Sequence, residues 1–129
     1  MRWIIAIFTA LIVYFILEKM YLFAGISLIV FVLALFTRKL IKKQKIKKYI
    51  SLIEQAKKDF ASNVDFEPFL PINKMEWQVL ETIPGISRPV AKMIQNRTRK
   101  QKFTNFVEYA NFSNLEIPAY EINKKIIIF

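Results

Sequence analysis

The sequence of 129 residues contains no cysteine, no histidine and only two glycines. Without cysteine, disulfides and thiolate metal sites are impossible, and without histidine a zinc site is disfavoured and His-dependent nucleophilic catalysis is excluded. Few glycines beside 54% hydrophobic residues exclude collagen-like and disordered chains. There is no glycine-rich nucleotide loop and no evident carboxylate pair, so we expect neither catalysis nor a cofactor.

Two uncharged apolar runs fill the beginning of the chain, at residues 3–17 and 20–36. Glu18 and Lys19 separate them. At 1.5 Å per residue each run covers roughly 25 Å as a helix, near the lower limit for crossing a bilayer. The pattern predicts a membrane anchor over residues 1–37.

Three structures are compatible with these runs. The first is a helical hairpin of two spans joined at Glu18 and Lys19. The second is one long helix with that charged pair in mid-membrane, at about 2.5–3.5 kcal/mol per charge. The third is a cleaved signal peptide, which is poorly supported because only Arg2 precedes the first run and no A-x-A-like site follows it. We favour the hairpin.

A dense basic run follows the second apolar run. Seven cations occur in eleven residues, without an acid: Arg38, Lys39, Lys42, Lys43, Lys45, Lys47 and Lys48. The positive-inside rule keeps such a cluster in the cytoplasm, and two spans then return the N-terminus to the same side. We interpret the cations as a topology signal that binds anionic lipid headgroups, and a nucleic-acid patch is the alternative.

Residues 38–61 form a basic amphipathic connector in this reading. Its apolar residues recur at helical spacing, namely Ile46, Tyr49, Ile50, Ile53, Ala56 and Phe60. This stripe predicts a stalk helix that either packs on the following domain or lies on the membrane surface. Two prolines and several turn-forming residues then mark a linker at residues 62–71.

Residues 72–129 show four short helical segments. Asn73 is expected to cap the first, with Glu76 as its capping-box partner. Pro84 and Gly85 end it, because Gly85 can adopt the positive φ of a tight turn. Helix-start residues recur downstream, with Ser87 before the second helix, Thr104 before the third and Pro118 before the fourth.

This pattern resembles a tandem helix-hairpin-helix domain of the ComEA type, a competence DNA-binding family. The matching residues are Ile72-Asn73, Leu80 to Ile86 (LETIPGI), Ala91, Ile94, Arg97 and Phe103. The resemblance covers less than half of the chain. The second hairpin departs from it, because Asn114-Leu115-Glu116 stands where the family repeats glycine.

The resemblance implies that the first hairpin grips a DNA phosphate through its backbone amides. The implied phosphate-binding residues are Gly85, Ile86, Ser87, Arg88 and Lys92. Such a grip reads no base sequence. Asn114 tolerates the left-handed conformation of a hairpin turn, but Glu116 places an acid where a phosphate would sit.

The sequence therefore predicts an all-α protein with an N-terminal transmembrane helical hairpin and a compact tandem helix-hairpin-helix domain in the cytoplasm. Its expected role is non-sequence-specific DNA tethering at the membrane. The alternative is a membrane-anchored scaffold that docks another protein, since residues 72–129 carry nine cations against five acids, a modest balance for a DNA-binding domain. Family proteins for DNA uptake place the domain outside the cell on one span, so the uptake function itself is not expected.

Overall fold

The computed structural model describes residues 2–18 and 21–129, and within them the chain is mostly helical. The described residues form six α-helices, one 3₁₀ turn and two very short strands. In chain order they are α1 (Arg2–Leu17), α2 (Tyr21–Ala61), β1 (Leu70–Pro71), the 3₁₀ turn (Ile72–Lys74), α3 (Trp77–Leu80), α4 (Arg88–Lys100), α5 (Phe106–Ser113), α6 (Ala119–Ile126) and β2 (Ile127–Ile128).

The first compact unit is Met1–Gln44. Here α1 contacts the first half of α2, and the rings of Phe8 and Phe31 lie 5.3 Å apart between centroids. A cleft of about 200 Å³ lies between the two helices. Most other apolar side chains of this unit are exposed, which is unusual for a water-soluble surface.

Within the described residues, α2 is the one helix that is both long and apolar enough to cross a membrane. Its most apolar window has a mean hydropathy of 2.0 and is almost entirely exposed. The shorter helix α1 is also apolar. Of the charged pair expected between the two runs, Glu18 lies in a turn after α1, whereas Lys19 lies outside the described residues.

The second compact unit is Lys45–Phe129, and it includes the end of α2. The apolar stripe of the connector enters its core: Ile53 and Ala56 are buried, and Ile46, Tyr49, Ile50 and Phe60 pack against the same cluster. The stalk helix was expected either to pack on the domain or to lie on the membrane surface, and the structure shows it packed on the domain. Each fully buried aliphatic side chain contributes about 1.5–3 kcal/mol through the hydrophobic effect.

Two short strands of this unit pair with each other, although they lie far apart in the sequence. β1 pairs in parallel with β2, in the register Leu70 with Ile127 and Pro71 with Ile128. The amide of Phe69 also donates to the carbonyl of Ile126 at 3.1 Å. Part of the expected linker is thus ordered against the end of the chain.

Two helix starts differ from the sequence prediction. Asn73 lies in the 3₁₀ turn, and α3 begins at Trp77 after Glu76. The side chain of Asn73 instead bonds the backbone of Phe103, accepting from its amide at 2.8 Å and donating to its carbonyl at 2.9 Å. The Asn73 side chain therefore bonds the backbone of a distant loop and does not cap a helix that follows it.

The third helix of the domain, α5, is capped by Asn105 and not by Thr104. The Asn105 side chain accepts from the amide of Glu108 at 2.9 Å. Thr104 lies one residue earlier, and its amide and hydroxyl both donate to the Glu108 carboxylate at 3.0 Å. The two residues together complete the start of α5.

Candidate nucleic-acid interface

The first turn (residues 81–87) connects α3 to α4 and carries most of the residues predicted to bind phosphate. Gly85 has φ of +82°, as its place in a tight turn requires, and Ile86 is buried with 5% exposure. The amide of Ile86 donates to the carbonyl of Ile83 at 3.2 Å. Ile86 therefore closes the turn, and its amide is already used inside the protein.

The start of α4 presents the remaining amides. Ser87 occupies the N-cap position in an extended conformation, but its side chain makes no capping hydrogen bond. Among the described residues, no acceptor is bonded to the amides of Gly85, Ser87 and Arg88. Pro89 follows and has no amide hydrogen. The helix dipole of this 13-residue helix adds partial positive charge at the same place.

The two predicted cations, Arg88 and Lys92, converge on Trp77. The Arg88 guanidinium lies 5.6 Å and the Lys92 ammonium 5.1 Å from the indole centroid. Arg88 Nε also donates to the Glu81 carboxylate at 2.8 Å, although the Arg88 side chain remains 65% exposed. Two cations and one acid leave a local charge of +1 beside the amides.

The sequence interpretation did not include Trp77 and Glu81 in this site. Their four-residue spacing matches the four-residue spacing of Arg88 and Lys92 across the turn. An aromatic residue and an acid before the turn, with two cations at the same spacing after it, form the sequence pattern that could have identified Trp77 and Glu81. Cation–π contacts at such exposed positions contribute about 0.5–1 kcal/mol each.

Gly85 also rests against the second turn (residues 114–118). A Cβ atom at Gly85 would lie 2.6 Å from Ala119 Cβ and 3.3 Å from Leu115 Cδ2. Asn114 has φ of +52° and ends α5 in the left-handed conformation, as expected from its residue type. Glu116 is exposed in this second turn. The two turns therefore pack on each other.

A buried polar network joins the first turn to α5 and α6. Asn123 of α6 is fully buried, and its Nδ2 donates to the carbonyl of Pro84 at 2.9 Å. Its Oδ1 accepts from the Tyr109 hydroxyl at 3.1 Å. Burial raises the pKa of the Tyr109 phenol, which keeps it a hydrogen-bond donor. Asn123 was not singled out from the sequence.

Arg97 matches the family pattern, but its half-buried side chain is occupied by contacts within the protein. It pairs with Glu108, and its guanidinium lies 4.6 Å from the Phe103 ring centroid and 4.9 Å from that of Phe112. The hydrogen bonds from Thr104, with the charge of Arg97, hold the pKa of Glu108 below its usual range. This cation is therefore less available to a ligand than Lys92.

The seven cations of the basic run (residues 38–48) are all exposed along α2. Across residues 2–18 and 21–129, no group of three acidic side chains is arranged to hold a metal ion. The candidate ligand-binding features of the second unit are therefore the amides at the start of α4 and the cations beside them.

No family model, no curated protein and no solved structure matches this chain. The likeness to helix-hairpin-helix domains accordingly rests on the matching residues alone, and a fold by itself does not define a function.

Proposed function

We propose that this chain is a non-enzymatic membrane tether whose second unit is a helix-hairpin-helix domain that binds the DNA backbone without sequence preference. The observation that carries the proposal is the start of α4. There the amides of Ser87 and Arg88 have no acceptor among the described residues, and both residues are exposed, as is Lys92.

The anchor in this proposal is an antiparallel hairpin of α1 and α2. Its support is the order of contacts: Phe8 meets Phe31, while Ile4 shares the cleft with Leu35, so the numbers rise in one helix as they fall in the other. The basic run then lies on the cytoplasmic side and contacts anionic headgroups. The DNA-binding domain is cytoplasmic in this arrangement.

A single grip gives weak binding. Glu116 in the second turn repels phosphate, and Glu81 neutralises part of the charge of Arg88. A grip that contacts about two to four phosphates gives a salt slope of log K against log salt of roughly −2 to −4. Affinity then falls in the nonspecific range, about 10⁻⁴–10⁻⁶ M.

The test uses two substitutions at one position, in full-length protein in nanodiscs of zwitterionic lipid. Arg88→Ala removes the guanidinium alone, whereas Arg88→Pro also removes the amide while suiting the first position of a helix. We expect Arg88→Pro to bind duplex DNA more weakly than Arg88→Ala. Equal binding by the two variants contradicts the amide grip.

A second pair of variants tests the charge. Lys92→Gln should weaken binding to every duplex sequence and flatten the salt slope by about one unit. Lys124→Gln removes the same charge from α6 and should change less. DNA binding that is insensitive to salt, or absent at low ionic strength, contradicts the proposal.

Protein docking is the second candidate function. It is favoured by exposed apolar side chains in the second unit, above all Ile117, which is 81% exposed in the second turn. Met93 and Val107 are also more than half exposed. If DNA binding fails while the domain is folded, these side chains are the first positions to examine for a protein partner.

A further inference from the structure

The cleft in Met1–Gln44 has an apolar interior and one cation at its edge. It lies between α1 and α2 and is lined by Ile4, Phe8, Phe31, Ala34 and Leu35, together with Arg38. The Phe8 and Phe31 rings contact each other across it. A surface of this kind offers dispersion contacts to an apolar chain and a single charged group to its headgroup.

The Arg38 guanidinium is available to such a ligand. It is exposed, and within the part of the chain that the structure describes it makes no hydrogen bond or ion pair. A guanidinium is a planar fork of donors that matches the oxygens of a phosphate, and it is weakly hydrated compared with an ammonium. Lys39, the next residue, does not line the cleft.

The distances along α2 match the order of groups in a phospholipid. Arg38 follows Phe31 by seven residues, which is about 10 Å along a helix axis. A phosphate bound at Arg38 therefore leaves the first part of an acyl chain to run over Leu35 and Ala34 toward Phe31. The other cations of the basic run attract a lipid of net negative charge more strongly than a zwitterionic choline lipid.

We infer that this cleft is a binding site for one anionic phospholipid, with the phosphate on Arg38 and an acyl chain against Phe8 and Phe31. The inference rests on the proposed membrane anchoring and adds a defined lipid site to it. It differs from general attraction to headgroups because it requires Arg38 in particular, and because it requires the apolar interior.

Tryptophan fluorescence can measure lipid occupancy directly. The sequence has two tryptophans, so full-length protein with Trp77→Phe retains Trp3, beside Ile4, as its only indole. It is reconstituted in phosphatidylcholine vesicles that contain an equal minor fraction of either brominated phosphatidylglycerol or brominated phosphatidylcholine. We expect the phosphatidylglycerol to quench Trp3 several-fold more strongly.

Matched variants separate a site from a diffuse charge effect. Arg38→Gln should bring the two brominated lipids to equal quenching, whereas Lys39→Gln should preserve most of the preference. If the preference arises only from the summed charge of the basic run, Arg38 and Lys39 each change the affinity for anionic lipid by a similar factor, about fivefold. An equal reduction by Arg38→Gln and Lys39→Gln therefore overturns the inference.

A second pair tests the apolar interior. Ala34→Leu fills part of the cleft and should reduce the preference, whereas Ala10→Leu adds the same volume to an exposed position of α1 outside the cleft and should not. If both brominated lipids quench the Trp77→Phe protein equally, the lipid site is overturned and the membrane anchoring is not. If neither lipid quenches Trp3, the protein is not in the bilayer and the anchoring proposal itself is overturned.

Discussion

The side-chain amide of Asn123 donates to the carbonyl of Pro84 at 2.9 Å, and this bond connects α6 to the first turn. The same amide donates to the Ala119 carbonyl at 2.7 Å, and the Asn123 oxygen accepts from Tyr109. Every polar atom of the Asn123 side chain is thus bonded within a buried site. The turn that carries the candidate phosphate site is therefore held by a residue almost forty positions away.

Replacing Asn123 by Leu should destabilise the second unit by roughly 2–4 kcal/mol, because the Pro84 carbonyl and the Tyr109 hydroxyl are both left without a partner in a buried site. Denaturant unfolding followed by circular dichroism measures the effect. Asn111→Ala, at an exposed position of α5, serves as the control and should stay within about 0.5 kcal/mol. Equal stability of the two variants would show that the network is unimportant.

Gly85→Ala should lower the free energy of unfolding by about 1–3 kcal/mol. Its φ of +82° is strained for alanine, and the new Cβ would approach Ala119 too closely. Adding Ala119→Gly removes the collision and leaves the backbone strain, so the double variant should recover only part of the loss. Gly25→Ala is a useful contrast, since nothing lies within 4 Å of that position.

The proposed topology predicts opposite labelling of two single-cysteine variants in intact cells. The natural sequence has no cysteine, so any label reports the introduced site. Glu18→Cys, in the turn after α1, should react with a membrane-impermeant thiol reagent, whereas Lys74→Cys should react only after lysis. Labelling of Lys74→Cys from outside would place the domain on the other side of the membrane.

Acidification should destabilise the second unit through Glu108. The pKa of this carboxyl is lowered in the folded state from 4.5, chiefly by hydrogen bonds from Thr104. Its contribution is complete above pH 4.5 and is lost as the pH falls through the folded-state pKa. We expect Glu108→Gln to be less stable at neutral pH and to lose less stability on acidification. Parallel stability curves for both proteins would contradict the lowered pKa.

The backbone conformation of the two turns was predicted correctly from residue type. Gly85 has the expected positive φ, Ile86 is buried, and Asn114 adopts the left-handed conformation. Each of these outcomes depends on residue type and immediate neighbours, so a single sequence contains the necessary information. The helical character of the chain follows from periodicity in the same way.

Long-range bonds account for what the sequence did not predict. Asn73 is a good helix cap by type, but its side chain binds Phe103, thirty residues later, and Asn123 binds Pro84. Strands of two residues carry no alternation from which β1 and β2 could be recognised. The clustering of Trp77 with Arg88 and Lys92 likewise depends on how the first turn folds back.

The parallel pairing of β1 with β2 also has a consequence for biosynthesis. Leu70 is fully buried, yet its strand partner is Ile127, so this contact joins residues 57 positions apart in the chain. Ile126 is equally buried. During translation the core of this unit cannot be completed until residues 126–128 have left the ribosome, so the helices synthesised before them expose apolar surface until then.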